Sequence, residues 1–227
     1  MELAALHRVT APDASVAVRV LAGSQIEAID LLVGGGFTVD RIEVDAPETG
    51  VAFVVHATRA HSLADTVGHH LRVLFVGLNP SEYAADAGVG YARPGNRFWP
   101  AILQAGLVTR DRDALHAYTA HGIGLTDLVK RATPRSSDVT RAEYEEGARR
   151  VERLVQRERP GVVAFVGLEG YRIAVDRAAR TGWQSRRFGG APTYVLPSTS
   201  GLNAHAQLPD FIAHFREVYA KSSPAAS

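Results

Sequence analysis

Short apolar runs that alternate with helix-like segments make up the chain from residue 71 onwards, and this alternation restricts the fold more than any other feature. Four runs have the length and composition of buried strands: 72–77, 122–128, 162–167 and 193–196. Four segments between and after them have helix signals: 97–105, the stretch from Thr140 to the residue before Pro160, 169–180 and 210–219. Alternating strands and helices form a mostly parallel sheet that helices cover on both faces. The sequence therefore predicts an α/β fold with three layers in αβα order.

Residues 1–70 have a different pattern, which predicts a small α+β unit ahead of the main domain. Its expected elements are a strand, a helix capped by Ser24 and ended by three glycines, a hairpin and a linking helix: 16–21, 24–32, 37–44 with 51–57 around Pro47–Gly50, and 61–70. The predicted division of the chain is 1–70, 71–221 and a disordered tail over 222–227.

The composition excludes several classes of function. The chain has 227 residues and no cysteine, so disulfides, cysteine-ligated zinc, iron–sulfur clusters and thiol catalysis are excluded. The nine histidines show no metal-ligand spacing, and neither a metal nor a cofactor is expected. No apolar run approaches the roughly 18 residues of a membrane span, and the amino terminus does not have the pattern of a signal peptide. We therefore expect a cytoplasmic protein, associated with the nucleoid if it is bacterial.

Charge is divided unevenly along the chain. Residues 1–70 contain four basic and nine acidic residues, for a net charge of −5, and the remainder contains 21 basic and 15 acidic residues, for a net charge of +6. A moderately basic main domain suits a polyanionic partner that is bound through its phosphates. An ordinary arginine-rich surface gives the same balance, so charge alone does not identify the partner.

Two neighbouring segments carry the strongest functional signal: Gly77-Leu78-Asn79-Pro80, and the run YARPGNRFW from Tyr91 to Trp99. The first segment directly follows a predicted strand, at the carboxyl edge where open α/β sheets bind ligands. The carboxamide of Asn79 can hold a water molecule or a base edge, and the ring of Tyr91 offers a flat stacking surface. Together these residues predict a pocket for a nucleobase.

These segments resemble the mismatch-specific uracil/thymine DNA glycosylase family, within the uracil-DNA glycosylase superfamily. Two further segments share the resemblance: GLTDLVKR over 124–131 and LPSTSGLNA over 196–204. The resemblance covers roughly residues 71–220 and no part of residues 1–70. It implies the uracil-DNA glycosylase fold, hydrolysis of N-glycosidic bonds, double- or single-stranded DNA as the partner, a monomer and no cofactor.

The resemblance also implies roles for the residues of the pocket. A base inside a duplex is out of reach, so the nucleotide must be extruded. Asn79 corresponds to the residue that positions the attacking water, Tyr91 stacks on the base, and the backbone amides of Leu78 and Tyr91 reach the base oxygens. Gly77 and Pro80 complete the base-binding turn. Amides fixed near the base stabilise the negative charge that grows on it as the glycosidic bond breaks.

The segment near the carboxyl end is expected to enter the duplex. Leu202 resembles the family's wedge, an apolar side chain that fills the hole left by the extruded base. Hydroxyls and amides beside it suit phosphates, and Gly201 would allow close approach to the opposite base. The residues expected to contact DNA here are Ser198, Thr199, Ser200, Gly201, Leu202 and Asn203.

The last four residues of the YARPGNRFW run are expected to have structural roles. Phe98 and Trp99 are assigned to the core, and Asn96 and Arg97 to bracing the loop, although Arg97 could also reach a phosphate.

The predicted function is a monofunctional DNA glycosylase that removes uracil, and less efficiently thymine, from G·U and G·T mismatches or from single-stranded DNA. Asparagine cannot take a proton near neutral pH, so Asn79 would orient the water without acting as a general base. The rate should then depend on the leaving group, with uracil and 5-halouracils released faster than thymine. Two alternatives stay open: a glycosylase of the same scaffold for hypoxanthine or xanthine, and a catalytically weak nucleic-acid-binding module.

Overall fold

The computed structural model describes residues 2–45 and 51–222, which form two separate β-sheets. The predicted hairpin turn over Pro47–Gly50 and the predicted tail beyond Ser222 lie outside the described residues. Ser222 itself is buried, and its carbonyl accepts a hydrogen bond from Arg72 (3.0 Å), so the prediction that disorder begins at this residue is wrong. Within the described ranges, no helix has both the length and the apolar character needed to cross a membrane.

The amino-terminal unit is a three-stranded antiparallel sheet with two helices, as an α+β pattern predicts. Its elements are α1 (Glu2–Val9), β1 (Ser15–Leu21), α2 (Gln25–Gly34), β2 (Phe37–Asp45) and β3 (Ala52–Arg59), with the sheet order β1-β3-β2. The Ser24 hydroxyl accepts a hydrogen bond from the Glu27 amide and caps α2, as predicted. Leu32 of α2 packs with Phe37 and Phe53 in a small core of its own. Helix α1 was not predicted, because its eight residues carry no capping signal.

The main sheet has five strands, four of them parallel. Its strands are β4 (Val73–Gly77), β5 (Ile123–Asp127), β6 (Val162–Val166), β7 (Gly182–Trp183) and β8 (Thr193–Leu196). Their order is β5-β4-β6-β8-β7, and only the short edge strand β7 is antiparallel to its neighbour. Strands β4, β6 and β8 are completely buried, as strands in the middle of a two-sided sheet must be.

Helices cover both faces of the main sheet and give the three layers expected from the sequence. They are α3 (Glu82–Ala87), α4 (Phe98–Gln104), α5 (Ala114–His121), α6 (Arg141–Glu158), α7 (Leu168–Ala174) and α8 (Leu208–Ala220). On one face Phe75 of β4 packs against α4 and α8, with ring centroids 5.4 Å from Phe98 and 5.3 Å from Phe215. On the other face Leu74 and Val76 pack against α6 and α7. The predicted α/β class is confirmed.

The structure agrees with the predicted start of one helix and corrects the predicted end of another. The capping box of Thr140 and Glu143 begins α6 as predicted. Helix α7 ends at Ala174 and not at 180, because the Asp176 carboxylate accepts a hydrogen bond from the Ala178 amide (2.9 Å) and starts a turn. Helices α3 and α5, each at most eight residues long, were not predicted.

The predicted linking helix over 61–70 is wrong. This segment contains no helix, and Thr66 exchanges two backbone hydrogen bonds with Leu125 of β5, at 2.9 Å and 3.0 Å. Strand β5 is an edge strand of the main sheet, and its unpaired backbone groups need partners. The backbone pairing with β5 therefore determines the conformation of this segment, and its local helix propensity does not.

A buried ion cluster joins this segment to the main sheet. The Asp65 carboxylate accepts hydrogen bonds from Lys130 (2.7 Å), Arg150 (2.9 Å) and the Thr126 hydroxyl (2.7 Å). Burial alone would raise the pKa of Asp65, but Lys130 and Arg150 outweigh burial and hold the pKa below its ordinary value. The Asp65 amide also donates to the carbonyl of Gly34, at the end of α2 (2.7 Å).

Candidate active site

A cleft of about 610 Å³ opens at the carboxyl ends of the parallel strands. The chain passes from β4 to β5 on one side and then crosses to β6 on the other, which makes the end of β4 the topological switch point of the sheet. Open α/β sheets bind their ligands at this point. Loops that follow β4, β5 and β8 contribute the walls of the cleft.

Asn79 lies on this cleft, and its carboxamide is held in one orientation. The Nδ2 group lies within hydrogen-bond distance of the carbonyls of Pro80 (3.0 Å) and Arg131 (3.2 Å) and of the Thr133 hydroxyl (2.8 Å). Two carbonyls can only accept, so the nitrogen must be the atom that faces them. The Oδ1 atom has no protein donor among residues 2–45 and 51–222. It is therefore free to accept a hydrogen bond from water.

The turn around Asn79 supplies free backbone donors. The amides of Leu78, Asn79 and Tyr91 have no acceptor within the described parts of the chain, and all three residues line the cleft. Pro80 is buried, and its carbonyl also accepts from the Thr133 amide (3.1 Å), which fixes the turn. Unpaired amides fixed along a cleft wall are suited to bind carbonyl oxygens or a developing anion.

Tyr91 forms part of the cleft wall in an uncommon backbone conformation. Its φ angle is +59°, in the left-handed region, and its ring stacks on Phe98 with centroids 4.0 Å apart and an interplanar angle of 10°. Because Phe98 covers one face of the ring, a stacked ligand must contact the other face. Burial, with a contribution from Asp127, raises the pKa of the Tyr91 hydroxyl well above its ordinary value, so the phenol stays neutral.

Phe98 and Trp99 are buried in the core, as the sequence predicts. Trp99 also donates a hydrogen bond from Nε1 to the carbonyl of Gly90 (2.8 Å), and the Asn96 side chain accepts one from the Phe98 amide (2.9 Å). These contacts fix the loop on both sides of Tyr91.

Leu202 projects from a loop that is tied down on its inner side. Its side chain is 85% exposed. The Arg97 guanidinium donates to the carbonyls of Ala206 (2.6 Å), Asn203 (2.8 Å) and Ser200. Arg97 therefore has the bracing role predicted from the sequence. A wedge needs an exposed apolar side chain on a fixed loop, and the wedge role of Leu202 stays a prediction.

The other residues of this loop have more varied positions. Ser198 and Ser200 line the cleft, and their hydroxyls accept hydrogen bonds from the amides of Ser200 and Leu202 (both 3.3 Å). Thr199 is only 1% exposed, so its hydroxyl has no surface to offer to a phosphate. Asn203 is occupied within the loop, because Nδ2 donates to the Ser198 carbonyl (2.8 Å) and Oδ1 accepts from the His205 amide (3.0 Å). Of this group, Ser198, Ser200 and Leu202 stay candidates for side-chain contacts with DNA.

The glycine at position 201 is explained by packing within the protein and does not need the expected close approach to the opposite base. A side chain at this position would lie 3.0 Å from the Gly95 carbonyl oxygen. The glycine therefore allows the loop to pack closely on the turn that precedes α4, whether or not DNA is bound.

Sequence reasoning missed Asp127, which ends β5 and lines the cleft. Burial raises the pKa of Asp127 to about 6, Asp65 adds to the rise, and Lys130 and Arg150 oppose it. Its signal was present, since an acidic residue directly follows an apolar run within the GLTDLVKR segment. Its importance depends on the pairing of Gly77 with Asp127 across two strands, which the sequence alone does not reveal.

Two arginines of the cleft wall were also given no role from the sequence. Arg93 and Arg135 line the cleft and are exposed, and Ser136 and Ser137 lie beside Arg135. Guanidinium groups at the rim of a cleft suit phosphate oxygens. The described residues contain no group of three or more His, Asp or Glu side chains that could hold a metal ion.

The sequence model of the Uracil DNA glycosylase superfamily matches residues 64–221 of this chain. Among solved structures, a solution NMR structure described as a "putative Uracil DNA glycosylase" from Methanosarcina acetivorans is similar, with 21% sequence identity and a TM-score of 0.49. That similarity covers 69% of this chain and 96% of the other. The family match spans most of the chain and confirms the resemblance at the level of the superfamily, while the mismatch-specific branch stays a prediction. The chain belongs to the uracil DNA glycosylase superfamily.

Proposed function

We propose that this protein is a monofunctional DNA glycosylase that hydrolyses the N-glycosidic bond of uracil, and less efficiently of thymine, in G·U and G·T mismatches or in single-stranded DNA. The extruded base would stack on the open face of Tyr91. A water molecule held by Asn79 would attack the sugar carbon C1′. It would act as a monomer, because one chain supplies every wall of the cleft.

The orientation of the Asn79 carboxamide is the observation that carries this proposal. Within residues 2–45 and 51–222, every hydrogen bond of the Asn79 side chain is made through Nδ2, which leaves Oδ1 to accept a hydrogen bond from the nucleophilic water. That hydrogen bond orients a lone pair of the water towards C1′. Positioning of this kind can be worth about 100-fold in rate when it is lost. Asn79 takes no proton from the water, so much of the driving force must come from the leaving group.

The free amides of the cleft account for stabilisation of the leaving group. As the C1′–N1 bond breaks, its electron pair stays on the base and the sugar becomes positively charged. The amides of Leu78 and Tyr91 would donate to the base oxygens as this negative charge develops. Uracil carries less electron density than thymine, since it has no methyl group at C5, and it should leave faster.

The positions of the lysines support hydrolysis without strand cleavage. A glycosylase that also cleaves the strand attacks C1′ with an amine and forms a Schiff base. The chain has two lysines, and neither lines the cleft. Lys130 is paired with Asp65 in the buried ion cluster, and Lys221 lies over the ring of Trp183.

The test is a gel assay of alkali-labile sites on duplexes that each carry one lesion. The substrates are G·U, G·T, A·U, single-stranded uracil, hypoxanthine and xanthine, which also separate uracil removal from the purine alternatives. Asn79→Ala should lower the single-turnover rate on G·U by at least about 100-fold and leave affinity for the lesion duplex nearly unchanged. Excision that is equally fast in wild type and Asn79→Ala would refute the proposed mechanism. Equal rates on thymine and uracil opposite guanine would refute the dependence on the leaving group.

A further inference from the structure

The carboxyl group of Asp127 is a polar group on the cleft wall that the proposed mechanism does not use. It ends β5 and pairs in register with Gly77, the residue that begins the Gly-Leu-Asn-Pro turn. Its carboxyl oxygens have no hydrogen-bond donor and no ion-pair partner within residues 2–45 and 51–222. A carboxyl group in a partly buried site normally has such partners, so this one is available to a ligand.

The position of this carboxyl group is fixed relative to the base platform. A β-carbon on Gly77 would collide with the Asp127 carboxylate, and it would lie 3.0 Å from the Tyr91 hydroxyl oxygen. The carboxyl group therefore packs directly over Gly77, beside the hydroxyl end of the Tyr91 ring. A base stacked on this ring would present one edge to Asp127.

Burial favours the uncharged form of Asp127 and outweighs the net effect of the neighbouring charges, which favours the ionised form. Burial raises its pKa to about 6, and Asp65, in the segment that covers β5, adds to this rise. Lys130, just beyond β5, and Arg150 on α6 act in the opposite direction, but both are paired with Asp65. The Tyr91 phenol is neutral and adds no charge. A bound base would exclude more water and favour the uncharged acid further.

On the basis of the proposed function, we infer that Asp127 reads the flipped base as an uncharged carboxylic acid, by recognising a lactam edge in which a carbonyl lies next to an N–H. The acid donates its hydrogen to O4 of uracil or thymine and accepts one from N3–H. Hypoxanthine presents the same pair at O6 and N1–H. Cytosine presents the reversed pair, with N3 as the acceptor and the N4 amino group as the donor, and the acid can match it by carrying its hydrogen on the other oxygen, so Asp127 alone does not exclude cytosine.

The same contact acts on the transition state. Electron density from the breaking C1′–N1 bond moves onto the base oxygens, so the hydrogen bond from the uncharged acid to O4 becomes stronger. The proton stays on Asp127 throughout; water supplies the hydroxyl group that is left on C1′, and its other proton passes through solvent to the released base, which leaves with the electron pair of the broken C1′–N1 bond. An ionised Asp127 would instead repel the growing charge on O4. Activity should therefore require the protonated form.

The experiment measures kcat/KM on a G·U duplex from pH 5 to 9 at constant ionic strength. The kcat/KM of wild type should fall about tenfold per pH unit above pH about 6, because the pH dependence of kcat/KM reports the pKa of Asp127 in the free enzyme. Asp127→Asn keeps one donor and one acceptor at every pH, so its profile should be flat and its rate at pH 8 should exceed that of wild type. Asp127→Leu should be slow at every pH. Thermal unfolding of each variant shows whether it is folded.

Other outcomes separate this inference from the function on which it rests. If wild-type kcat/KM rises with pH and Asp127→Asn is inactive throughout, Asp127 is a general base and the inference is overturned, while the glycosylase function stands. The inference is also overturned if Asp127→Asn shows the same dependence of kcat/KM on pH as wild type. If wild type excises none of the bases in the lesion panel, the proposed function itself fails.

Discussion

Replacing Arg97 with alanine should impair uracil excision from duplex DNA far more than from single strands. Its guanidinium holds three carbonyls of the loop that carries Leu202. Arg97→Ala would remove the donor of all three partly buried carbonyls at once. Each hydrogen bond to a charged group contributes about 1.5–3 kcal/mol, so the loop would be strongly destabilised. The loop would then lose the fixed shape that presents Leu202 to the duplex.

The exposed surface of Leu202 sets the size of the effect. Its side chain is 85% exposed, and burying a leucine in the space left by an extruded base is worth about 1.5–3 kcal/mol. Since about 1.4 kcal/mol corresponds to a factor of ten, Leu202→Ala should lower the single-turnover rate on a G·U duplex by about 10- to 150-fold. Arg97→Ala should have a similar effect. Single-stranded uracil needs no wedge, so its rate should change by less than about threefold.

A double-mutant cycle tests whether the two residues act as one unit. If Arg97 works by positioning Leu202, the Arg97→Ala/Leu202→Ala variant should be little slower than either single variant. Arg97→Lys is the matched control, because lysine keeps the charge for a phosphate contact but cannot form the same three hydrogen bonds. Additive losses in the cycle, or a wild-type rate for Arg97→Lys, would show that Arg97 contacts phosphate and would refute the bracing role.

Two further predictions concern stability and base stacking. Asp65→Asn should lower the free energy of unfolding by about 3–5 kcal/mol at pH 7, because it leaves Lys130 and Arg150 buried without a counter-ion. Since folding depresses the pKa of Asp65, this stabilisation is present above its ordinary pKa of 3.8 and is lost as pH falls through the folded-state value. Chemical denaturation should therefore show that the difference in free energy of unfolding between wild type and Asp65→Asn is smaller at pH 3 than at pH 7. A difference that does not change with pH would contradict the ion-pair explanation. Tyr91→Ala should lower kcat/KM by about 5- to 150-fold through lost stacking, while Tyr91→Phe, which removes only a hydroxyl without a partner, should stay near wild type. If the alanine variant keeps full activity, Tyr91 is not the platform.

The sequence predicted the main sheet well because its strands are buried on both faces. Strands of this kind are continuous apolar runs, and the prediction of 193–196 coincides with β8. Helix α6 was predicted because Thr140 and Glu143 form a local capping signal. The segment 61–70 was mispredicted because its conformation depends on pairing with β5, which lies far away in the sequence.

In the candidate site, too, residues within continuous motifs could be predicted, and features that depend on tertiary packing could not. Asn79, Tyr91 and Leu202 belong to continuous motifs, and the structure places all three on one cleft. The burial of Thr199 and the internal hydrogen bonds of Asn203 depend on how the loop packs, which the motif does not encode. Asp127 was missed for a related reason, since its relation to Gly77 arises from strand register.

The structure also predicts where the chain can be shortened without loss of the glycosylase fold. The amino-terminal sheet has its own core, and the Asp30–Arg153 ion pair, at 2.6 Å, is among its few charged links to the rest. Such a partly exposed pair contributes little, about 1 kcal/mol at most. A protein that begins at Ser62 keeps the pairing of Thr66 with β5 and should fold, excise uracil and unfold at a somewhat lower temperature.

A protein that begins at Leu71, the boundary predicted from the sequence, should behave differently. It loses Thr66, which leaves the edge of β5 exposed, and it loses Asp65, which leaves two cations buried without a partner. We expect it to aggregate or to be destabilised at least as much as full-length Asp65→Asn. Circular dichroism melts and excision assays on both truncated proteins distinguish these outcomes. If the shorter protein is as stable and active as the longer one, residues 62–70 are only a linker and the ion cluster is dispensable.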